Sequence, residues 1–371
     1  MRFCLLLLVF LCCSCALSEK LNLSSHDQQI TKKNVLRSAW SKNHDPEYDS
    51  GNLPINLSSP LLHAGMLFVG TGKGYTIAYD AITGKVLWKE KDKGTYHAIP
   101  MIYKDQIIYG TNLGRLYSRH YLTGKIKYAV DLGASIESEV VVHNGMAVVH
   151  LRNYQITSFD IETGKIFWAY KRSVPHLTTL QRSSTPLIWN NKIYVGFADG
   201  YLVNISLEDG VLQWEKKLST STKFVDVDNT PVIVNNRLYI NSLAGPIYML
   251  EASTGAVLRQ GDFSPSRPPF PIDGKYLFGT FDGELILTDL NLEVIKKTNL
   301  GIGGITNIIL WKDYLVVTTS KGHVSILNPK TFDLVEKKHL GHVNSSVFGD
   351  LAASNGMLAV YSSRYRLYVY H

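Results

Sequence analysis

The sequence predicts an all-β protein: an eight-bladed β-propeller of four-stranded blades, its ring closed by an N-terminal strand that completes the last blade. Three observations carry this. The chain repeats with a period of 38–46 residues, each repeat holds four strand-like segments, and the final repeat stops one strand short. Short sheets of this period cannot bury their faces alone, and stacking them radially solves the problem.

The repeat is read from AYDAITGKVLW (78–88), which recurs as SRHYLTGKIKY (118–128) and SFDIETGKIFW (158–168), and more loosely as NISLEDGVLQW (204–214) and MLEASTGAVLR (249–259). Indexed on its third residue, the unit falls at Asp80, His120, Asp160, Ser206, Glu251, Asp289, Asn328 and Tyr370. Two further columns keep the register. Six residues before the index stands Gly at 74, 114, 200, 245, 283 and 322, with Tyr154 and Arg364 in the other two units. Twenty residues before it stands Pro at 60, 100, 186, 231 and 269, with Val140, Ile308 and Asp350 completing the set.

Within the first unit the strands are SSPLLHA, GMLFVGTG, GYTIAYDA and TGKVLWKE, rich in branched and aromatic residues and broken by Gly, Asn or Asp turns. The eighth unit ends at Tyr370-His371 before a fourth strand, while NVLRSAWSKN (34–43) precedes the first unit. Pairing Leu36–Lys42 beside Arg366–His371 would seal the ring and remove both edges. Trp40 then joins the column of Trp88, Tyr128, Trp168 and Trp214, read as inter-blade packing. That column lapses at Arg259, Lys297 and Glu336, so blades five to seven must pack by other means.

The N-terminus reads differently. Met1-Arg2, an apolar run from Phe3 to Leu11 and the small and thiol residues of LCCSC form an export signal too short to span a bilayer. LCCSC resembles the lipobox of bacterial lipoproteins, with Cys15, preceded by Ser14, as the expected lipid-bearing residue and Cys13 as the alternative. The expected organisation is a signal peptide at 1–14, a polar tether at 15–33, of which residues 16–33 span about 24 Å as coil, and one propeller domain at 34–371.

Composition excludes several chemistries. All four Cys lie in the first 15 residues, so the folded body has no disulfide, thiolate metal site or thiol nucleophile. A net charge of +7 spread over scattered Lys and Arg makes no nucleic-acid stripe. Of the 12 His, His339 and His342 alone approach ligand spacing and lack a third ligand. SPSRPPFP (264–271) reads as an inter-blade loop. No G-x-S-x-G, Walker A or H-E-x-x-H motif occurs, and no catalytic or metal site is expected.

One stretch, FVDVDNTPVI (224–233), places Asp226 and Asp228 two residues apart. On extended backbone the pair could chelate, but Thr230-Pro231 follow where a calcium loop needs another oxygen ligand and Gly. Acids so close on one strand are poorly placed to bracket a glycosidic bond. Turn-structuring and partner contact remain, and they are compatible. The distance from the aromatic to the Pro column is 12 residues after Trp88 and Tyr128, but 18 after Trp168 and 17 after Trp214. Two neighbouring blades thus present long loops on one face, where binding residues are expected.

The A-x-D-x-x-T-G-x-x-x-W unit resembles the repeat of quinoprotein-type (PQQ-repeat) propellers over nearly the whole mature chain. D-V-D-x-T-P-V-x-V-N, with the lipobox and the length, resembles more closely the BamB family of outer-membrane β-barrel assembly lipoproteins. That resemblance implies a non-enzymatic scaffold without cofactor, lipid-anchored in the outer membrane and facing the periplasm. Its implied partners are the central barrel subunit, BamA, and unfolded outer-membrane protein precursors. It also implies partner contact by Asp226 and Asp228 and by the preceding inter-blade loop, where Leu180 matches the family's Leu, Gln181 stands where Arg is expected, and Arg182 comes one position late. The alternative is a periplasmic quinoprotein-type enzyme using quinone and calcium, or a ligand-binding propeller.

Overall fold

A computed structural model describes residues 34–44, 55–174, 183–219, 225–243, 245–341 and 345–371. Regular structure among them is entirely β, in eight four-stranded antiparallel sheets. Blade one is Leu61–His63, Met66–Gly70, Tyr75–Asp80 and Val86–Lys91, each strand paired with the next. First and second strands are joined by two-residue turns, in six blades with positive φ at both positions, such as Asn144-Gly145 and Asn235-Asn236, whose twist suits a hairpin.

The ring closes as the sequence predicts. Blade eight takes Ala352–Ser354, Met357–Tyr361 and Arg366–Tyr370 from the C-terminus and its outer strand, Ser38–Asn43, from the N-terminus. Ser38 lies opposite Tyr370 and Asn43 opposite Arg366, and His371 N–H donates to the Arg37 carbonyl at 2.9 Å.

Two details of the repeat register are corrected. In blade eight the tight turn is closed by Tyr365 N–H on the Ser362 carbonyl with Tyr365 at φ 55°, as Gly74 N–H closes on Thr71 at φ 74°. Tyr365 therefore holds the glycine position in place of Arg364, Leu351 the proline position, and His371 the index. No Gly marks this turn, so the column cannot be located from sequence. In blade six the outer hairpin is one residue shorter, Thr288 pairing with Val294 where Tyr79 pairs with Val86. The aromatic column there falls on Lys296, not Lys297.

The T-G pair of the repeat has a packing cause. The glycine sits beneath the aromatic ring of the preceding blade: a Cβ on Gly84 would lie 2.7 Å from the Trp40 ring, and one on Gly210 2.6 Å from Trp168. In three of these Trp the indole N–H donates to the carbonyl one residue past the next index, Trp40 to Ala81 at 2.9 Å, Trp88 to Tyr121 at 2.7 Å and Trp168 to Leu207 at 3.0 Å, whereas Trp214 Nε1 makes no such bond. Gly210→Ala combines a φ of 75° with that clash and is expected to cost about 1–3 kcal/mol. A urea melt matching wild type would refute this packing account.

Where the aromatic column lapses, the apolar group crosses to the other side of the interface. Leu292 and Phe332, at φ 65° and 63°, stand near the glycine position of blades six and seven and are 3% exposed. Leu292 packs with Tyr239, Phe263 and Phe278, and Phe332 with Leu285 and Leu315. The hydrogen bond is kept: Tyr239 Oη–H, from the second strand of blade five, donates to Leu290 O at 2.6 Å. Lys296 lies over the Phe332 ring and donates to Thr331 O at 2.6 Å. Glu336 takes the Val35 and Leu36 N–H groups at 2.6 and 3.1 Å, fastening the entry to the closing strand.

Candidate functional site

All eight blades contribute to one central cavity of about 460 Å³, lined by the segments that lead into their first strands. These include Leu57 and Ser59, His97, Glu137 and Glu139, Thr185, Asp228–Thr230, Arg267, Asn307 and Asp350.

VDVDNTP (225–231) enters this cavity from a buried start. Val225, Asp226 and Val227 are 2%, 0% and 1% exposed. Asp226 O accepts Leu243 N–H at 2.8 Å, the same rung as Thr95 O with Asn112 N–H and Ser135 O with Arg152 N–H. Val227 N–H donates to Phe197 O at 3.1 Å, and its own carbonyl would lie 2.1 Å from a Cβ on Gly196. Backbone and apolar side chains thus bolt the stretch to blade four. Only then does it turn: Asp228 is half-buried on the cavity wall. Asn229 Nδ2–H donates to Asn241 Oδ1 at 2.7 Å, and Asn229 O accepts Ser184 Oγ–H at 2.9 Å. The two aspartates therefore occupy different environments, one inside the wall and one facing open space. Leu180, Gln181, Arg182 and Cys15 lie outside the described residues.

The cavity also gathers carboxylates that sequence reasoning did not single out. Glu137 pairs with Arg152 at 3.1 Å. Arg267 reaches from blade six across blade seven to blade eight, donating to Thr306 O at 2.6 Å and Phe348 O at 2.5 Å, with Asp350 at 3.7 Å. Asp350 N–H donates to Ser59 Oγ at 2.7 Å. Glu139 is pushed up to about 7, by burial first and then by the Asp350 charge. Burial holds His97 below its ordinary value. A signal for these residues exists in hindsight. The three blades without the inner proline carry a polar residue just before that position, Glu139, Asn307 and Asp350. Among the described residues no three His, Cys, Asp or Glu side chains form a group able to hold a metal ion.

Known proteins agree with this architecture. The profile of the family described as outer membrane protein assembly factor BamB matches residues 37–118 and 105–299. The chain is 24% identical over 299 residues to outer membrane protein assembly factor BamB of Shewanella oneidensis, covering 75% of each chain. It is 22% identical over 316 residues to the Bordetella pertussis protein of the same name, covering 82% of this chain and 80% of that one. The crystal structure of BamB from Moraxella catarrhalis superposes with a TM-score of 0.74 at 18% identity, over 91% of this chain and 99% of that one. Quinohemoprotein alcohol dehydrogenase from Comamonas testosteroni shares the fold at a TM-score of 0.68 and 12% identity, over 92% of this chain and 77% of that one. By the span of the profile match, the chain belongs to the family of outer membrane protein assembly factor BamB.

Proposed function

We propose that the protein is a non-enzymatic scaffold of outer-membrane β-barrel assembly, docking on the central barrel subunit BamA through the rim where Asp228 lies. The family match carries this reading. The geometry supports it: a closed ring fixes the loop through Val225, Val227 and Asn229, so the half-buried carboxylate of Asp228 is held on the cavity wall with little ordering cost. Asp226, buried, acts by shaping the loop from beneath, and Leu180 with Gln181 or Arg182 would supply the neighbouring loop's contact. The protein is anchored by lipid at Cys15 to the periplasmic side of the outer membrane, with residues 15–33 as tether. Unfolded outer-membrane protein precursors are a second partner, adding a strand to the exposed outer edges of the blades.

The test is co-purification of the tagged protein from detergent-solubilised envelopes. Because Asp226 is fully buried, charge reversal there would perturb folding and report nothing on docking. Asp228→Arg is the informative variant, with Asp226→Asn as the packing control and thermal melts on both. Asp228→Arg is expected to weaken recovery of BamA about tenfold, about 1.4 kcal/mol, with an unchanged melt. Wild-type protein that brings down no barrel subunit would end the scaffold reading. Full recovery with Asp228→Arg would move the contact elsewhere on the ring.

A further inference from the structure

The charge of this molecule is not spread evenly around the ring. Residues 34–43 and 294–371 carry eleven Lys and Arg against four Asp and Glu. Those two segments form the outer strand of blade six and all of blades seven and eight. Two of the four acids are withdrawn from the surface charge: Glu336 binds the Val35 and Leu36 N–H groups, and Asp350 lines the central cavity beside Ser59. The other two, Asp313 and Asp333, lie in exposed turns. Arg37, Lys42, Lys296, Lys297, Lys321 and Lys337 are all exposed. Lys321 and Lys337 are close enough to His323 to help hold it below its ordinary value, behind burial.

Apolar groups stand beside these cations. Val294 and Ile295, immediately before Lys296-Lys297, are 38% and 50% exposed. Cations flanked by exposed aliphatic side chains match a bilayer surface of negative charge, which attracts the ammonium groups and admits the side chains at the headgroup boundary. The chain itself indicates the same occupant. Residues 1–33 join the ring at Asn34, and Glu336 fixes the next two residues against blade seven, so the tether departs from the basic sector. We infer that the outer edge of blades six to eight is the side of the ring that rests on an anionic phospholipid surface. This rests on the proposed anchorage of the N-terminus.

The folded body has no Cys, so a single introduced thiol can be labelled. Fluorophores on Ser41→Cys, in the basic sector, and Thr123→Cys, on blade two, are compared in lipidated full-length mature protein reconstituted on vesicles. Energy transfer to a headgroup-labelled lipid is read with phosphatidylcholine alone and with added phosphatidylglycerol. The expected result is at least about threefold more transfer from Ser41→Cys than from Thr123→Cys on the anionic vesicles only. That difference should be lost in high salt and in Lys297→Glu plus Lys337→Glu. Protein that does not float with vesicles sinks the anchorage and this inference together. Protein that floats but gives equal transfer from both labels overturns the orientation alone. Equal transfer, with charge reversal instead reducing a co-purified acidic protein, assigns the basic edge to that protein.

Discussion

Arg119→Met is expected to destabilise the ring by about 3–5 kcal/mol, because it leaves a buried carboxylate without its partner. Arg119 and Asp92 are 5% and 7% exposed and meet at 2.6 Å across the seam between blades one and two. The rest of the guanidinium is also engaged. Its Nε–H donates to Tyr109 Oη at 2.9 Å, and one terminal nitrogen donates to Gly124 O at 2.7 Å. Asp92 in turn accepts from Thr76 Oγ1 at 2.6 Å and Tyr109 Oη at 2.8 Å. Every polar atom removed here strands another. Urea unfolding of wild type, Arg119→Met and Arg119→Met plus Asp92→Leu separates the pair's worth from the penalty of a lone charge. The double variant should recover more than half of the loss. A single variant within about 1 kcal/mol of wild type would mean that water reaches Asp92 and that the seam is not dry.

Glu139 gives the second large effect, and its sign is set by the direction of its shift. Burial, aided by the Asp350 charge, raises the folded-state value to about 7 from 4.5, so the folded protein holds this proton more tightly than the unfolded chain. Stability then falls as pH rises between about 4.5 and 7 and is level above that window. The shift corresponds to an upper bound of about 3 kcal/mol, reduced to the extent that cavity water solvates the carboxylate. Glu139→Gln keeps shape without titration. Thermal melts at pH 5 and pH 8 should show it near wild type at the lower pH and more stable at the higher. An equal difference at both would place the effect in packing rather than charge. Asp350→Asn, removing the secondary cause, should abolish a smaller part of the pH dependence than Glu139→Gln does.

Much of this molecule was legible in its sequence, since repetition forces it. Eight copies of a four-strand unit, each apolar on faces it cannot cover alone, leave radial stacking as the way to bury them. The missing last strand and the surplus first one leave one way to close the ring. The Trp column and the T-G glycines were visible as well, and the structure supplies their joint cause, a ring lying on a glycine that has no side chain to displace. Tertiary structure decided the remainder. Sequence spacing made Asp226 and Asp228 alike, but alternation along a strand fixes direction and not depth: with Val227 seated against Gly196 and Phe197, Asp226 is fully buried and Asp228 lies at the cavity. A hairpin one residue shorter moved the blade-six column to Lys296, a shift that no glycine or proline marked. Glu139 and Asp350 are separated along the chain by four intervening blades, and the Asp350 charge bears on Glu139 only because the ring closes. Local sequence states which residues a strand holds, and only closure decides which charges share a cavity.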